Sequence, residues 1–418
     1  MKTIPLKANV LGNNFTNGYA LPFDYDVPYI VCYGQSLSVG GGATDGNSNF
    51  RNMLSFIGGC NEWASNVDIN NASSVSSFYG TGLVLLNTVA EKSHPPVAAA
   101  QIAWLSLLEK ENQLALDMFN YQFLMSTPGE SGATIEAFEK GTATYNRLVF
   151  SVQKGKELAE KQGKTFGVPV IYWVQGESDR DTDFDTYYNK LKQLFIDLDT
   201  DIKAITGQTK DIQFIPYQMS PFLEFNGGAS ACNSPYVHLK ICQDVENVHM
   251  GGAMYQYQYS DALHPSDRAI IGHQLGIQAK RVLNDEKPLP LFYPNSHEIL
   301  QLGGEWYLRL SYDVPVAPMR FDVSGDKWHN QNGKQPNYGF ELINSSNVDI
   351  IAAEPTIIRG TTLQIKCAEN PTGSTLRYAI TGHYGGGNLC DSQNIIVRNK
   401  NTDYVLDNYA VAFRDYTI

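Results

Sequence analysis

VPYIVCYGQSLSVGGG, residues 27–42, opens as an apolar strand and closes as a loop without bulk. Residues 27–33 lack the polar alternation of a half-exposed strand, so both faces are expected to point into protein. Where the strand gives way to glycine stands Ser36, with Ser38 two residues on. A strand end closes with almost any turn residue, so a hydroxyl in that place raises the question of what else in the chain reaches it. Runs of the same type recur at YQFLM (121–125), VPVIYWV (168–174) and IQFIPY (212–217). Between them lie two segments of helical period, 95–119 and 184–205. In the second, Tyr187, Leu191, Leu194, Leu198 and Ile205 fall on one stripe. A further helix is expected from an N-cap at Ser266, turning Ile270, Ile271, Leu275 and Val282 inward. Strands alternating with helices predict an α/β fold, a doubly wound parallel sheet over residues 27–286.

The pattern changes at NDEKPLPLFYPN (284–295), where three prolines mark a boundary. Beyond it come short alternating segments, among them EWYLRLSYDV (305–314), TLQIKC (362–367) and TLRYAIT (375–381). Broken by Gly, Asn and Pro, they predict a C-terminal β-sandwich over 290–418. Residues 1–26 read as an N-terminal arm.

The 418 residues are 43% hydrophobic and 18% charged, enough for a sizeable core. A net charge of −12 argues against nucleic acid or an anionic membrane as the main partner. No stretch is long and apolar enough to span a bilayer, and the start shows no signal-peptide run. The chain is expected to be soluble, with secreted and surface- or virion-associated settings both open. Six cysteines form no C-x-x-C pair, so zinc and dithiol chemistry are not expected. Cys232 with Cys242, or Cys367 with Cys390, would bridge in an oxidising compartment; free thiols are the other expectation. The 24 Tyr and 5 Trp suit surfaces that stack on sugars and equally suit half-buried β faces.

In a doubly wound sheet, ligands sit beyond the carboxyl ends of the strands. There the first strand supplies Ser36. The second runs into STPGESGATIE (126–136), with Gly132; the third runs into QGESD (175–179), which crowds Gln175, Glu177 and Asp179. SDALHPSD (260–267) brings Asp261 and His264 three residues apart. These are the parts of an acyl transfer. A serine hydroxyl becomes a nucleophile when an imidazole takes its proton, and a carboxylate holds that imidazole in one tautomer. An oxyanion then needs fixed donors; the Ser36 and Gly132 N–H groups and the Gln175 amide are candidates. The seven other histidines read as surface or satisfied core groups.

GQSLS (34–38), SGATIEAF (131–138), YWVQGESD (172–179) and DALHP (261–265) resemble the blocks of SGNH hydrolases. More narrowly, they are similar to the sialate O-acetylesterase-like branch that includes the acetylxylan esterases of carbohydrate esterase family six. The resemblance covers most of residues 27–286, with WVQGESD its most specific part. It implies a flavodoxin-like SGNH hydrolase domain and a serine esterase that removes O-acetyl groups from an oligo- or polysaccharide, without cofactor or metal. Carried over, it implies Ser36 as nucleophile, His264 as base, Asp261 as the orienting acid and Glu177 as a rival or auxiliary acid. Leu37 departs from the asparagine usual after the serine. A longer-acyl lipase- or thioesterase-like enzyme, or a non-catalytic carbohydrate-binding or adhesin protein, are the alternatives.

Overall fold

A computed structural model describes residues 23–40, 53–86, 96–112, 122–225, 228–229, 231–259, 263–325, 333–382, 384–399 and 402–418. Six strands form the central sheet: β1 (Val27–Gly34), β2 (Met53–Ser55), β3 (Val84–Leu85), β4 (Phe123–Ser126), β5 (Phe166–Val174) and β6 (Gln213–Pro216). Their order is β3-β2-β4-β1-β5-β6, with every pairing parallel except the edge strand β3. β1 and β5 are buried along their whole length, as expected of strands covered on both faces.

The two faces of β1 feed different cores. Ile30 and Cys32 pack with α2 (Pro96–Asn112) and α6 (Ala269–Leu283). Tyr29, Val31 and Tyr33 pack with α3 (Ala143–Lys161), α4 (Phe184–Thr206) and α5 (Ser234–Asp244). A short helix α1 (Ala72–Tyr79) completes this layer with Phe78 and Tyr79. The α4 stripe is as expected: Tyr187, Leu191, Leu194 and Leu198 are buried, with Ile205 half-buried at the end.

α6 starts later than the sequence implies. Ser266 does not cap it: the N-cap position is Arg268, and the Asp267 carboxylate receives Ala269 N–H at 2.9 Å. Inward-facing Ile270, Ile271 and Leu275 are buried, and Val282 is half-buried. Residues 113–119 of the expected 95–119 helix lie outside the described residues.

After a two-stranded ribbon, β7 (Glu224–Phe225) with β8 (Gly228–Ala229), the C-terminal part is antiparallel. One sheet has the order β13-β14-β10-β9, from Ile351–Ile357, Thr362–Cys367, Glu305–Tyr312 and Pro294–Leu302. A second joins β12 (Phe340–Ile343), β15 (Thr375–Tyr378) and β19 (Phe413–Thr417). A minor pair joins β11 (Arg320–Phe321) to β16 (Leu389–Cys390). Leu308, Leu310, Leu342, Leu363, Ile365 and Leu376 meet in a third core between the sheets, an arrangement consistent with a β-sandwich.

The last hairpin belongs elsewhere. β17 (Ile395–Asn399) and β18 (Thr402–Leu406) carry Val397, Tyr404 and Leu406 into the core formed by α2 and α6. Each such side chain, withdrawn from water, stabilises by about 1.5–3 kcal/mol, so the hairpin ties the C-terminal part to the central sheet. Gln218 adds a polar tie, exchanging two hydrogen bonds with the backbone of Ala412 at 2.7 and 2.8 Å.

None of the six cysteines is in a disulfide, so neither the 232–242 nor the 367–390 pair is bridged. No helix among the described residues is long and apolar enough to cross a membrane.

Candidate active site

The tips of β1, β4 and β5 converge, and glycine makes this possible. Gly34 has φ +143°, and a Cβ there would lie 2.0 Å from Val174 O. Its carbonyl receives Glu130 N–H at 2.9 Å, while Gln35 N–H binds Val174 O at 2.9 Å. A Cβ on Gly129 would meet Gly34 O at 2.2 Å, so the loop after β4 presses directly on the β1 tip. Gln35 Oε1 receives the N–H groups of Gly176 and Ser178 at 3.3 and 3.1 Å, locking the β5 loop to the same tip. Ser38 is structural, its hydroxyl and N–H both closing the turn onto Gln35 O.

Ser36, half-buried on this frame, meets the imidazole. Its Oγ lies 2.9 Å from His264 Nε2, although 228 residues separate them. An antiparallel bridge between Tyr259 and Pro265 closes the loop that carries the histidine. Asp261 lies outside the described residues. The N–H groups of Ser36 and Gly132 have no hydrogen-bond acceptor among the described residues. Gly132 is exposed, with φ +75°.

Gln175 is not brought to the serine. It is fully buried, and its two amide protons go to Ala133 O at 3.3 Å and to Asp179. Its Oε1 receives Tyr187 O–H at 2.6 Å. Both protons of the amide that the sequence reading offers to an oxyanion are thus engaged within the protein. Asp179 in turn receives Ile135 N–H at 2.7 Å and Thr182 O–H at 3.0 Å. Gln175 and Asp179 therefore hold the turn at 132–135 from beneath, fixing where the Gly132 N–H stands.

Glu177 is buried too. Tyr217 O–H donates to its Oε1, and Oε2 has no partner among the described residues. Burial pushes its carboxyl up to about 7. Tyr217, from the end of β6, is a partner that the sequence did not single out. Glu62 is a second such acid, fully buried, bound by Ser151 O–H at 2.9 Å and likewise pushed up by burial to about 7. His238, held neutral by burial at about 3, sits 3.1 Å from Tyr187 O–H as a satisfied core group.

Two expectations follow. A side chain at Gly132 has room, since a Cβ would meet nothing within 4 Å, but its backbone conformation is strained by about 1–2 kcal/mol. Gly132→Ala should fold normally yet turn its N–H away, lowering kcat about tenfold on a small acetyl ester with KM little changed. Equal kcat in both proteins removes Gly132 from the oxyanion site.

Glu62 takes up its proton at about 7 when folded and at 4.5 in the ordinary state. Its burial thus carries no electrostatic penalty below about pH 4.5, and stability falls as pH rises from there to about 7. The loss is about 3 kcal/mol. Glu62→Gln should therefore melt with wild type at pH 4 and above it at pH 8; parallel melting curves at both pH values contradict this assignment.

The parallel sheet with its helical layers is an α/β fold shared with a solved carbohydrate acetylesterase. Residues 126–272 match the family model for the carbohydrate esterases described as sialic acid-specific acetylesterases. Among solved structures, a carbohydrate acetylesterase from Xanthomonas citri shares the fold at 14% identity, with a TM-score of 0.60 over 94% of this chain and 81% of that one. A protein from Arabidopsis thaliana is 16% identical, covering 62% of this chain and 98% of its own at a TM-score of 0.41. A carbohydrate acetylesterase family member from Sinorhizobium meliloti is 13% identical, with a TM-score of 0.32 over 62% and 98%. No curated protein matches by sequence.

Proposed function

We propose that this chain removes O-acetyl groups from a carbohydrate through an acetyl-serine intermediate on Ser36. The observation that carries the proposal is the 2.9 Å contact between Ser36 Oγ and His264 Nε2 at the converging strand tips. In the forward half-reaction His264 takes the hydroxyl proton as Oγ attacks the acetyl carbonyl. The tetrahedral oxyanion forms against the N–H groups of Ser36 and Gly132. As the C–O bond to the sugar breaks, His264 returns the proton to the departing oxygen. Water then repeats the sequence on the acetyl-serine, releasing acetate and restoring the hydroxyl. Asp261, three residues before His264, orients the imidazole; Glu177, held by Tyr217, is the auxiliary acid.

The acetyl group and the carbohydrate come from the family's description. A series of 4-nitrophenyl esters should show highest kcat/KM for acetate, falling steadily to octanoate, and acetate should be released from at least one acetylated polysaccharide. A maximum at octanoate would favour the lipase-like alternative. Glycan binding with zero turnover of every ester would favour a binding protein.

The division into an arm (1–26), a hydrolase unit (27–286) and an accessory unit (290–418) is part of this proposal. Its support is that, among the described residues, no strand of the accessory unit pairs with the six-stranded sheet. In this division the accessory unit supplies no catalytic residue.

A further inference from the structure

The loop that carries His264 is gripped from both sides by residues of the C-terminal unit. On its leading side, Tyr259 stacks face to face on Tyr384, with ring centroids 4.4 Å apart and planes 8° from parallel. Phe222 closes this pair, its ring edge-on to both at 5.7 Å. Ser220 bonds the Tyr259 hydroxyl. On its trailing side, Tyr404 of the last hairpin donates its O–H to Asp267 at 2.7 Å. Tyr404 is itself fixed edge-on against His273 of α6, at 4.7 Å. Tyr259 and Asp267 thus stand on either side of His264 in a segment already closed by the Tyr259–Pro265 bridge.

The sequence around Tyr384 is built for close approach. Gly385 has φ +75°, and a Cβ there would lie 2.4 Å from Ala379 O and 2.9 Å from Pro221 Cδ. Only glycine lets that turn press onto the loop that also bears Ser220 and Phe222.

We infer that the C-terminal unit is a clamp on the His264 loop, and that Tyr384 and Tyr404 are positioning residues for the reaction. Neither ring needs to touch the ester. Each fixes the backbone from which the imidazole reaches Ser36, and a displacement of about 1 Å in such a group lowers turnover by as much as about 100-fold. The inference rests on the acyl-transfer reading of Ser36 and His264. It gives residues 290–418 a part in the chemistry without a catalytic residue.

The test uses the full chain, with Tyr404→Phe, Tyr384→Ala and Tyr384→Phe, and Arg398→Ala as a control. Arg398 lies on the same hairpin, exposed and, among the described residues, paired with Asp403 at 2.7 Å. Two readouts are taken: turnover of 4-nitrophenyl acetate, and the rate at which a fluorophosphonate labels Ser36, which depends on proton removal by His264. Tyr404→Phe and Tyr384→Ala should each lower kcat and the labelling rate about tenfold or more, with KM within about twofold of wild type. Tyr384→Phe, which keeps the stack, should restore both, and Arg398→Ala should match wild type.

Labelling and kcat within twofold of wild type in both tyrosine variants overturn the clamp. So does a rise confined to KM, which would make these rings a substrate surface instead. Ser36→Ala is carried in parallel: if it still hydrolyses the ester, the acyl-transfer reading has failed, whereas a dead Ser36→Ala beside unaffected tyrosine variants sinks the clamp alone.

Discussion

Replacing Ser36 by alanine is expected to lower turnover of 4-nitrophenyl acetate by about 10⁴-fold or more while leaving the melting temperature unchanged. Loss of the nucleophile removes the covalent route and leaves only what oxyanion donors and binding achieve alone. The fold should not notice. Ser36 is half-buried, its hydroxyl bonds only His264 among the described residues, and the turn around it is held by Ser38 and Gln35 instead. Residual activity within tenfold of wild type would move the nucleophile elsewhere.

The second large effect separates the two acids. Asp261→Asn is expected to lower kcat by about 10⁴-fold, because an amide in place of the orienting carboxylate favours the wrong imidazole tautomer. Glu177→Gln is expected to lower it about tenfold at most. The Glu177 carboxyl is engaged by Tyr217 at the β6 end, so its amide counterpart leaves the His264 loop undisturbed. A further signature comes from its raised acidity. With the carboxyl pushed up to about 7, burial of Glu177 weakens the fold as pH rises from about 4.5 toward 7, and Glu177→Gln should recover that stability at pH 8. If both acids act on one imidazole, the double mutant will fall short of the product of the single effects. A near-dead Glu177→Gln beside a mild Asp261→Asn reverses the assignment.

The sheet was legible because its strands are uniformly apolar and its polar turns sit at their ends. β1 and β5 show this most clearly, with Ser36 and the QGESD segment directly after them. α3 was missed although Tyr145, Leu148, Val152 and Leu158 do follow a helical spacing; the signal was there, diluted by polar residues. α5 was missed for a different reason: it is short, and Pro235 near its start reads as a breaker as easily as a helix opening. The direction of the Gln175 side chain could not be read at all. Whether an amide at a strand tip points to the ligand or to the frame depends on Tyr187 and Asp179, and the more distant of the two lies 12 residues away. The same holds for Tyr217 on Glu177, Tyr384 on Tyr259 and Tyr404 on Asp267. These pairs join residues 40 or more positions apart, and periodicity carries no information about them. Motif spacing pointed to Ser36 and His264, which the structure brings into contact, while the groups packed around them appeared only in three dimensions.

The most direct test of the account is to look for the acetyl-serine itself. Wild-type protein would be mixed with excess 4-nitrophenyl acetate, quenched in acid within one turnover, digested, and its peptides weighed. The account predicts one added acetyl group on the peptide containing Ser36, lost on longer incubation and absent from His264→Ala treated in the same way. Rapid acetate release with no acetylated Ser36 at any quench time, or a transient acetyl group on a different residue, would contradict it.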